Sequence, residues 1–163
     1  MITCGASATE MLNTGSRHLA GIFLNTLPNG FGISDDYVLQ VGIREGPSAQ
    51  SGFGVFFRTQ PDPHNGTYSF LLYPDNTWRC FVYDDTTGAA TSLANGTASV
   101  PLANNSFIPI DIVVQGDTFT FYIAGVQQGM VHDQTYASGA LGFAVGAGAD
   151  AFYQDMALYS LPG

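Results

Sequence analysis

Short stretches of this chain place apolar side chains at every second residue, and that period of two commits it to β-strands. From Tyr37 to Arg44, the set Tyr37, Leu39, Val41 and Ile43 falls on one side, and Val38, Gln40, Gly42 and Arg44 on the other. Pleated backbone sends alternate side chains to opposite faces, so one face of such a strand is core and the other wetter. From Gly52 to Thr59, Phe53, Val55 and Phe57 oppose Gly54, Phe56 and Arg58. From Thr77 to Tyr83, Trp78, Cys80 and Val82 oppose Arg79, Phe81 and Tyr83. Ile108 to Val114 and Thr118 to Ile123 alternate in the same way and form a hairpin across Gln115-Gly116-Asp117. Tyr68 to Tyr73 is apolar on both faces, Gly139 to Val145 sets Leu141, Phe143 and Val145 against Ala140, Gly142 and Ala144, and a last strand runs from about Ala151 to Leu161.

Turn residues separate these segments at short intervals, as in Gly46-Pro47-Ser48, Pro74-Asp75-Asn76 and Asn95-Gly96. Short strands between regular turns predict an all-β fold, a two-sheet antiparallel sandwich in a single domain over residues 1–163. No repeat of a period that would indicate a propeller or solenoid is present. Residues 1–30 are the least regular, with edge strands and a helical turn expected near Glu10-Met11-Leu12. Thr86 to Ser99 is polar and reads as a loop plus an edge strand.

Charge narrows the partners. Charged residues are 10% of the chain, against about 25% in an average globular protein. The four basic residues are all arginine, there is no lysine, and 13 acidic residues bring the net charge to −9. Such a chain cannot assemble a basic patch, which argues against nucleic acid and anionic membrane as partners. No apolar run approaches the roughly 20 residues of a membrane-spanning helix. The low charge and the abundance of Gly, Thr and Ser predict an extracellular or cell-surface location. The abrupt start at Met1-Ile2-Thr3-Cys4 predicts a piece of a larger parent protein. Cys4 and Cys80 are candidates for one disulfide, the alternative being two buried thiols acting as small apolar side chains.

Several segments carry a resemblance. Ser34-Asp35-Asp36-Tyr37-Val38-Leu39-Gln40-Val41, Gly54-Val55-Phe56-Phe57-Arg58, Gly66-Thr67-Tyr68-Ser69-Phe70, the hairpin Ile112 to Ile123, and Asp133-Gln134-Thr135-Tyr136-Ala137-Ser138-Gly139-Ala140-Leu141-Gly142-Phe143 are similar to strands of one superfamily. Over residues 31–161 the chain resembles the concanavalin A-like lectin/glucanase domains, of the laminin-G and 3-keto-disaccharide-hydrolase-like type, found as bacterial extracellular modules. The resemblance implies a jelly roll and leaves the activity open, because the superfamily holds lectins, hydrolases and spacers. Where those relatives carry asparagine before the glycine of the late hairpin, this chain has Ala124-Gly125. Ligands of related jelly rolls sit on the concave sheet, and the resembling families keep an arginine at the position of Arg58.

Catalytic chemistry finds little support. A glycosidase needs two positioned carboxyl groups, and the only glutamates, Glu10 and Glu45, sit in no such motif. His18, His64 and His132 are isolated. No cofactor is expected apart from calcium, for which Asp75, Asp84 and Asp85 are weak candidates. Turn geometry explains those aspartates more simply.

A sugar has an apolar face and a rim of hydroxyls, so its sites combine aromatic rings with planar polar side chains. The residues out of phase with the core, Gln40, Arg44, Arg58, Arg79, Phe81 and Tyr83, joined by Tyr73, supply both. The expected function is therefore non-catalytic binding of a glycan or another cell-surface ligand, anchored on Arg58. A hydrolase of the keto-disaccharide type and an adhesion spacer without a small ligand are the alternatives.

Overall fold

The computed structural model describes residues 2–3, 8–15, 19–23, 36–61, 66–84, 86–103 and 105–162. Its strands are β1 (Ile2–Thr3), β2 (Thr9–Leu12), β3 (Leu19–Phe23), β4 (Tyr37–Glu45), β5 (Phe53–Thr59), β6 (Thr67–Leu72) and β7 (Thr77–Asp84). They continue as β8 (Ala89–Thr97), β9 (Ile108–Gln115), β10 (Thr118–Ile123), β11 (Val126–His132), β12 (Ala140–Gly146) and β13 (Asp150–Ser160). A seven-stranded sheet has the order β1-β13-β4-β9-β10-β11, with β2 also on β13. A six-stranded sheet has the order β3-β12-β5-β6-β7-β8. Every pairing between them is antiparallel, and the result is the predicted two-sheet jelly-roll sandwich.

The inward phases match the alternation. Tyr37, Leu39, Val41 and Ile43 of β4 and Ile108, Ile110, Ile112 and Val114 of β9 are buried against Phe53, Val55 and Phe57 of β5 and Trp78, Cys80 and Val82 of β7. Rings bridge the sheets. Phe70 stacks on Phe121 with centroids 4.6 Å apart, and Tyr68 meets Phe119 edge-on at 4.7 Å. Burial and ring geometry together make such pairs worth more than their area alone. Trp78 fits because β8 beside it carries Gly96 and β11 in the facing sheet carries Gly129, where a Cβ would lie 2.9 Å from its ring.

Two polar groups cross this core. The Tyr153 hydroxyl, on β13, donates to the Ala144 carbonyl (2.8 Å) and accepts from the Gly54 amide (3.1 Å) in the opposite sheet. The Tyr68 hydroxyl donates to Asp133 Oδ1 at 2.5 Å and accepts the Tyr136 amide at 3.1 Å.

The structure departs from the sequence reading at two places. Glu10-Met11-Leu12 is not a helical turn but part of β2, paired with β13. β11 was not foreseen, because Val126–His132 is a polar edge strand in which only Val131 is buried. Of the two readings of the cysteines, Cys80 takes the buried thiol, its pKa raised by burial, and Cys4 lies outside the described residues.

The β10–β11 turn holds Ala124 at φ 51° and Gly125 at φ 76°. An asparagine tolerates that left-handed backbone better than alanine does. Ala124→Asn is therefore expected to stabilise the fold by about 0.5–1 kcal/mol, read as a higher urea midpoint with an unchanged slope.

Burial pushes the Asp133 carboxyl up, but hydrogen bonds from Thr135 and Tyr68 outweigh it and hold it below its usual range. A depressed carboxyl stabilises the fold above its unfolded pKa, and that stability is lost as pH falls through the folded value. Tyr68→Phe should cost about 1–2 kcal/mol at neutral pH and less at low pH. Denaturation at both pH values checks this, and an equal loss at the two would show that Asp133 does not depend on this hydroxyl.

Candidate functional site

The residues predicted to share one binding face do not share one. "Away from the core" means opposite sides of the sandwich for strands in different sheets. Gln40 and Arg44 lie on β4 in the seven-stranded sheet, whereas Arg79 and Tyr83 lie on β7 in the six-stranded sheet, with Tyr73 between β6 and β7.

Arg58 is on neither face. It is 3% exposed and reaches into the sandwich, where its guanidinium donates to the carbonyls of Tyr136 (3.0 Å) and Gly116 (2.6 Å) and lies 5.1 Å from the Phe119 ring centroid. The cause is a β-bulge. Phe56 pairs with Gly142 and Thr59 with Ala140, so β5 carries one residue more than β12 between those points. Arg58 takes φ 50° there, which turns the side chain that should follow Phe56 outward to the inside. The expected anchor is thus a core strut joining β5 to the β9–β10 turn. Arg58→Ala should cost about 2–4 kcal/mol of stability. Ligand affinity of the folded fraction should not change; a selective loss of affinity at unaltered stability would restore Arg58 to the site.

On the outer face of the six-stranded sheet, Arg79 is exposed and its guanidinium lies 4.7 Å from the Tyr73 ring centroid. Tyr73 is half-buried, and its desolvation raises its pKa while Arg79 lowers it. Gly52 leaves room for that ring, since a Cβ there would lie 2.8 Å from it. Tyr73 and Phe81 pack on a small apolar cluster of Phe56, Leu71 and Ala144 on the same face. Arg79, Phe81 and Tyr83 follow at every second position of β7, a row about 13 Å long at roughly 3.3 Å per residue. Tyr83 is 38% exposed. The next strand, β8, sets Asn95 beside Arg79 and Ser92 beside Phe81, both exposed. The result is a rim of rings, one guanidinium and short polar groups.

On the seven-stranded side, Gln40 donates to Asp111 Oδ1 at 2.7 Å, which binds it to its own sheet. Arg44 stands opposite Phe152 across β4 and β13. Its guanidinium carbon lies 4.5 Å from the Phe152 ring centroid and 5.0 Å from that of Phe107. A cavity of about 580 Å³ opens beside it, lined by Arg44, Glu45, Gly46, Pro47, Ala103, Asn105 and Phe152. Glu45 has a buried Oε2 with no hydrogen-bond partner, and desolvation raises its pKa. Next to it, Asp150 is 2% exposed, accepts the Ser48 amide at 3.1 Å through Oδ2, and leaves Oδ1 without a partner. Gly46 is obligatory there, because a Cβ would overlap the Asp150 carboxylate.

The weak calcium candidates serve turns. Asp75 accepts from the Thr77 amide and hydroxyl, and Asp84 likewise from Thr86, while Asp85 lies outside the described residues. Hydrogen bonds from Thr77 and Thr86 hold both carboxyls below their usual range. Among the described residues no three His, Cys, Asp or Glu side chains gather around one point. His132 is exposed beside Thr118 and Asp117.

Phe107, Phe152 and Asn105 escaped the sequence reading. They meet Arg44 or its cavity only because distant segments fold against β4, which period two cannot reveal. Glu45 follows Arg44 on β4 and stands out in the sequence only as a glutamate without a catalytic motif.

No family model matches this chain, and no curated protein sequence does. Solved structures do. Carbohydrate binding module CBM66 from Bacillus subtilis superposes with a TM-score of 0.69 at 18% identity, covering 91% of this chain and 97% of that one. A Bacillus licheniformis β-glucanase gives 0.61 at 11%, covering 99% and 92%. The Caenorhabditis elegans galectin LEC-6 gives 0.58 at 14%, covering 91% and 95%. The chain therefore has the jelly-roll fold of the concanavalin A-like lectin/glucanase class. Within that fold class it is similar to carbohydrate-binding modules, galectins and glucanases alike.

Proposed function

We propose that this domain is a non-catalytic glycan-binding module whose site is the outer rim of the six-stranded sheet, formed by Tyr73, Arg79, Phe81 and Tyr83. The observation that carries the reading is the exposed Arg79 guanidinium laid on the Tyr73 ring, in line with Phe81 and Tyr83 along β7. Rings offer a face to the apolar side of a pyranose, and the guanidinium with Asn95 and Ser92 offers hydrogen bonds to its hydroxyls. A row of this length suits an extended oligosaccharide. The likeness in fold to a carbohydrate binding module and to galectins supports the class of ligand. In this reading the module works outside the cell or at its surface, carried on a larger parent protein. A chain with a net charge of −9 and no lysine has little nonspecific attraction for anionic polymers.

A glycan array followed by calorimetric titration tests the proposal. Tyr83→Ala and Arg79→Gln should each weaken the selected glycan by about tenfold or more, with an unchanged circular-dichroism spectrum. Full affinity in the double variant would sink it.

A further inference from the structure

We infer that the cavity beside Arg44 is a second saccharide site, on the opposite side of the sandwich, which takes an uncharged sugar through a pair of neighbouring hydroxyls. Phe107 and Phe152 both lie against the Arg44 guanidinium, and its N–H groups are the part left for a ligand. Fixed in this way, a guanidinium presents two parallel donors without losing further side-chain freedom. It is partly buried beside the rings, which strengthens any hydrogen bond it makes.

The same cavity holds the opposite kind of group. Glu45 Oε2 is a buried acceptor that no donor satisfies. Glu45 also lines the cavity, so a ligand O–H can approach its carboxylate from that side and offer the donor that the protein does not. Few ligand groups can serve both partners. A carboxylate accepts from Arg44 but has no proton for Glu45, and either a carboxylate or a phosphate brings a second negative charge beside it. An ammonium donates to Glu45 but is repelled by Arg44. A hydroxyl pair does both: its oxygens accept from the guanidinium, and one O–H donates to the carboxylate. The Phe152 ring on the wall and the exposed Asn105 on the rim complete the surroundings a sugar needs. The volume of about 580 Å³ falls within the usual range for small-molecule pockets and takes one or two sugar rings.

The site is tested on the whole domain by amide chemical-shift titration with galactose, glucose, mannose and fructose, and with galacturonate and glucuronate as acidic counterparts. At least one neutral sugar should shift the amides of Arg44, Glu45, Gly46 and Phe152, with a Kd on the order of millimolar. The matching uronate should bind about tenfold more weakly or worse. Glu45→Gln removes the repulsion and should narrow that ratio to about threefold. Phe152→Ala and Asn105→Ala should each weaken the neutral sugar, the second without touching the packing of Arg44. All of this should persist in the Arg79→Gln/Tyr83→Ala background, which separates this site from the rim of the other sheet. A preference for uronate, an unchanged ratio in Glu45→Gln, or loss of these shifts in that background would overturn the inference while leaving the rim proposal standing. Shifts that survive while the rim variants bind their glycan normally would sink the rim proposal alone. An absence of shifts with every sugar overturns the second site outright.

Discussion

Two apolar layers slide easily over each other unless something fixes their register, and here the Tyr153 hydroxyl does so. It projects from β13 and occupies both a donor and an acceptor position between β5 and β12 in the facing sheet. Its burial pushes its pKa up, so it stays a neutral phenol able to do both at once. Because β13 also pairs with β1, β2 and β4, the bond ties the strands on this side of one sheet to β5 and β12 of the other. The ring stack of Phe57, Tyr68 and Phe119 extends the same coupling toward the end where Arg58 enters. Both candidate sites are outward consequences of this inner register: the strands whose inner side chains meet across the core are the ones whose outer side chains form the rim and the cavity.

Period-two alternation was a reliable guide to which side chains of β4, β5, β7, β9 and β10 point inward, because burial on one face leaves a strong mark on sequence. It failed in two ways. The bulge at Arg58 adds one residue to β5 and reverses the side of everything after it, and nothing in Phe57-Arg58-Thr59 announces that insertion. β13 has a comparable shift between Gln154 and Ala157, with Asp155 at φ 52°. The second failure concerns assembly. A single strand reveals that it has two faces but not which sheet it joins, so Arg44 and Arg79 looked like neighbours although a whole sandwich separates them.

Aromatic rings do in this chain much of what acidic partners do elsewhere. Arg44 lies against Phe107 and Phe152, Arg58 over Phe119, and Arg79 over Tyr73. Stacking satisfies the faces of a guanidinium and spares its edges, where a carboxylate would use those edges up. That is why an arginine can be both fixed in place and open to a ligand on so acidic a surface.

The same arrangement bears on durability. A protease of trypsin-like specificity needs an extended, accessible segment around arginine or lysine. With no lysine in the chain, the described residues offer it Arg44, Arg58 and Arg79 alone, each within a paired strand. Cutting there requires the sandwich to open first, so digestion at these points proceeds no faster than unfolding allows. That placement slows cutting at these points, and a bound ligand, by favouring the folded state, slows it further.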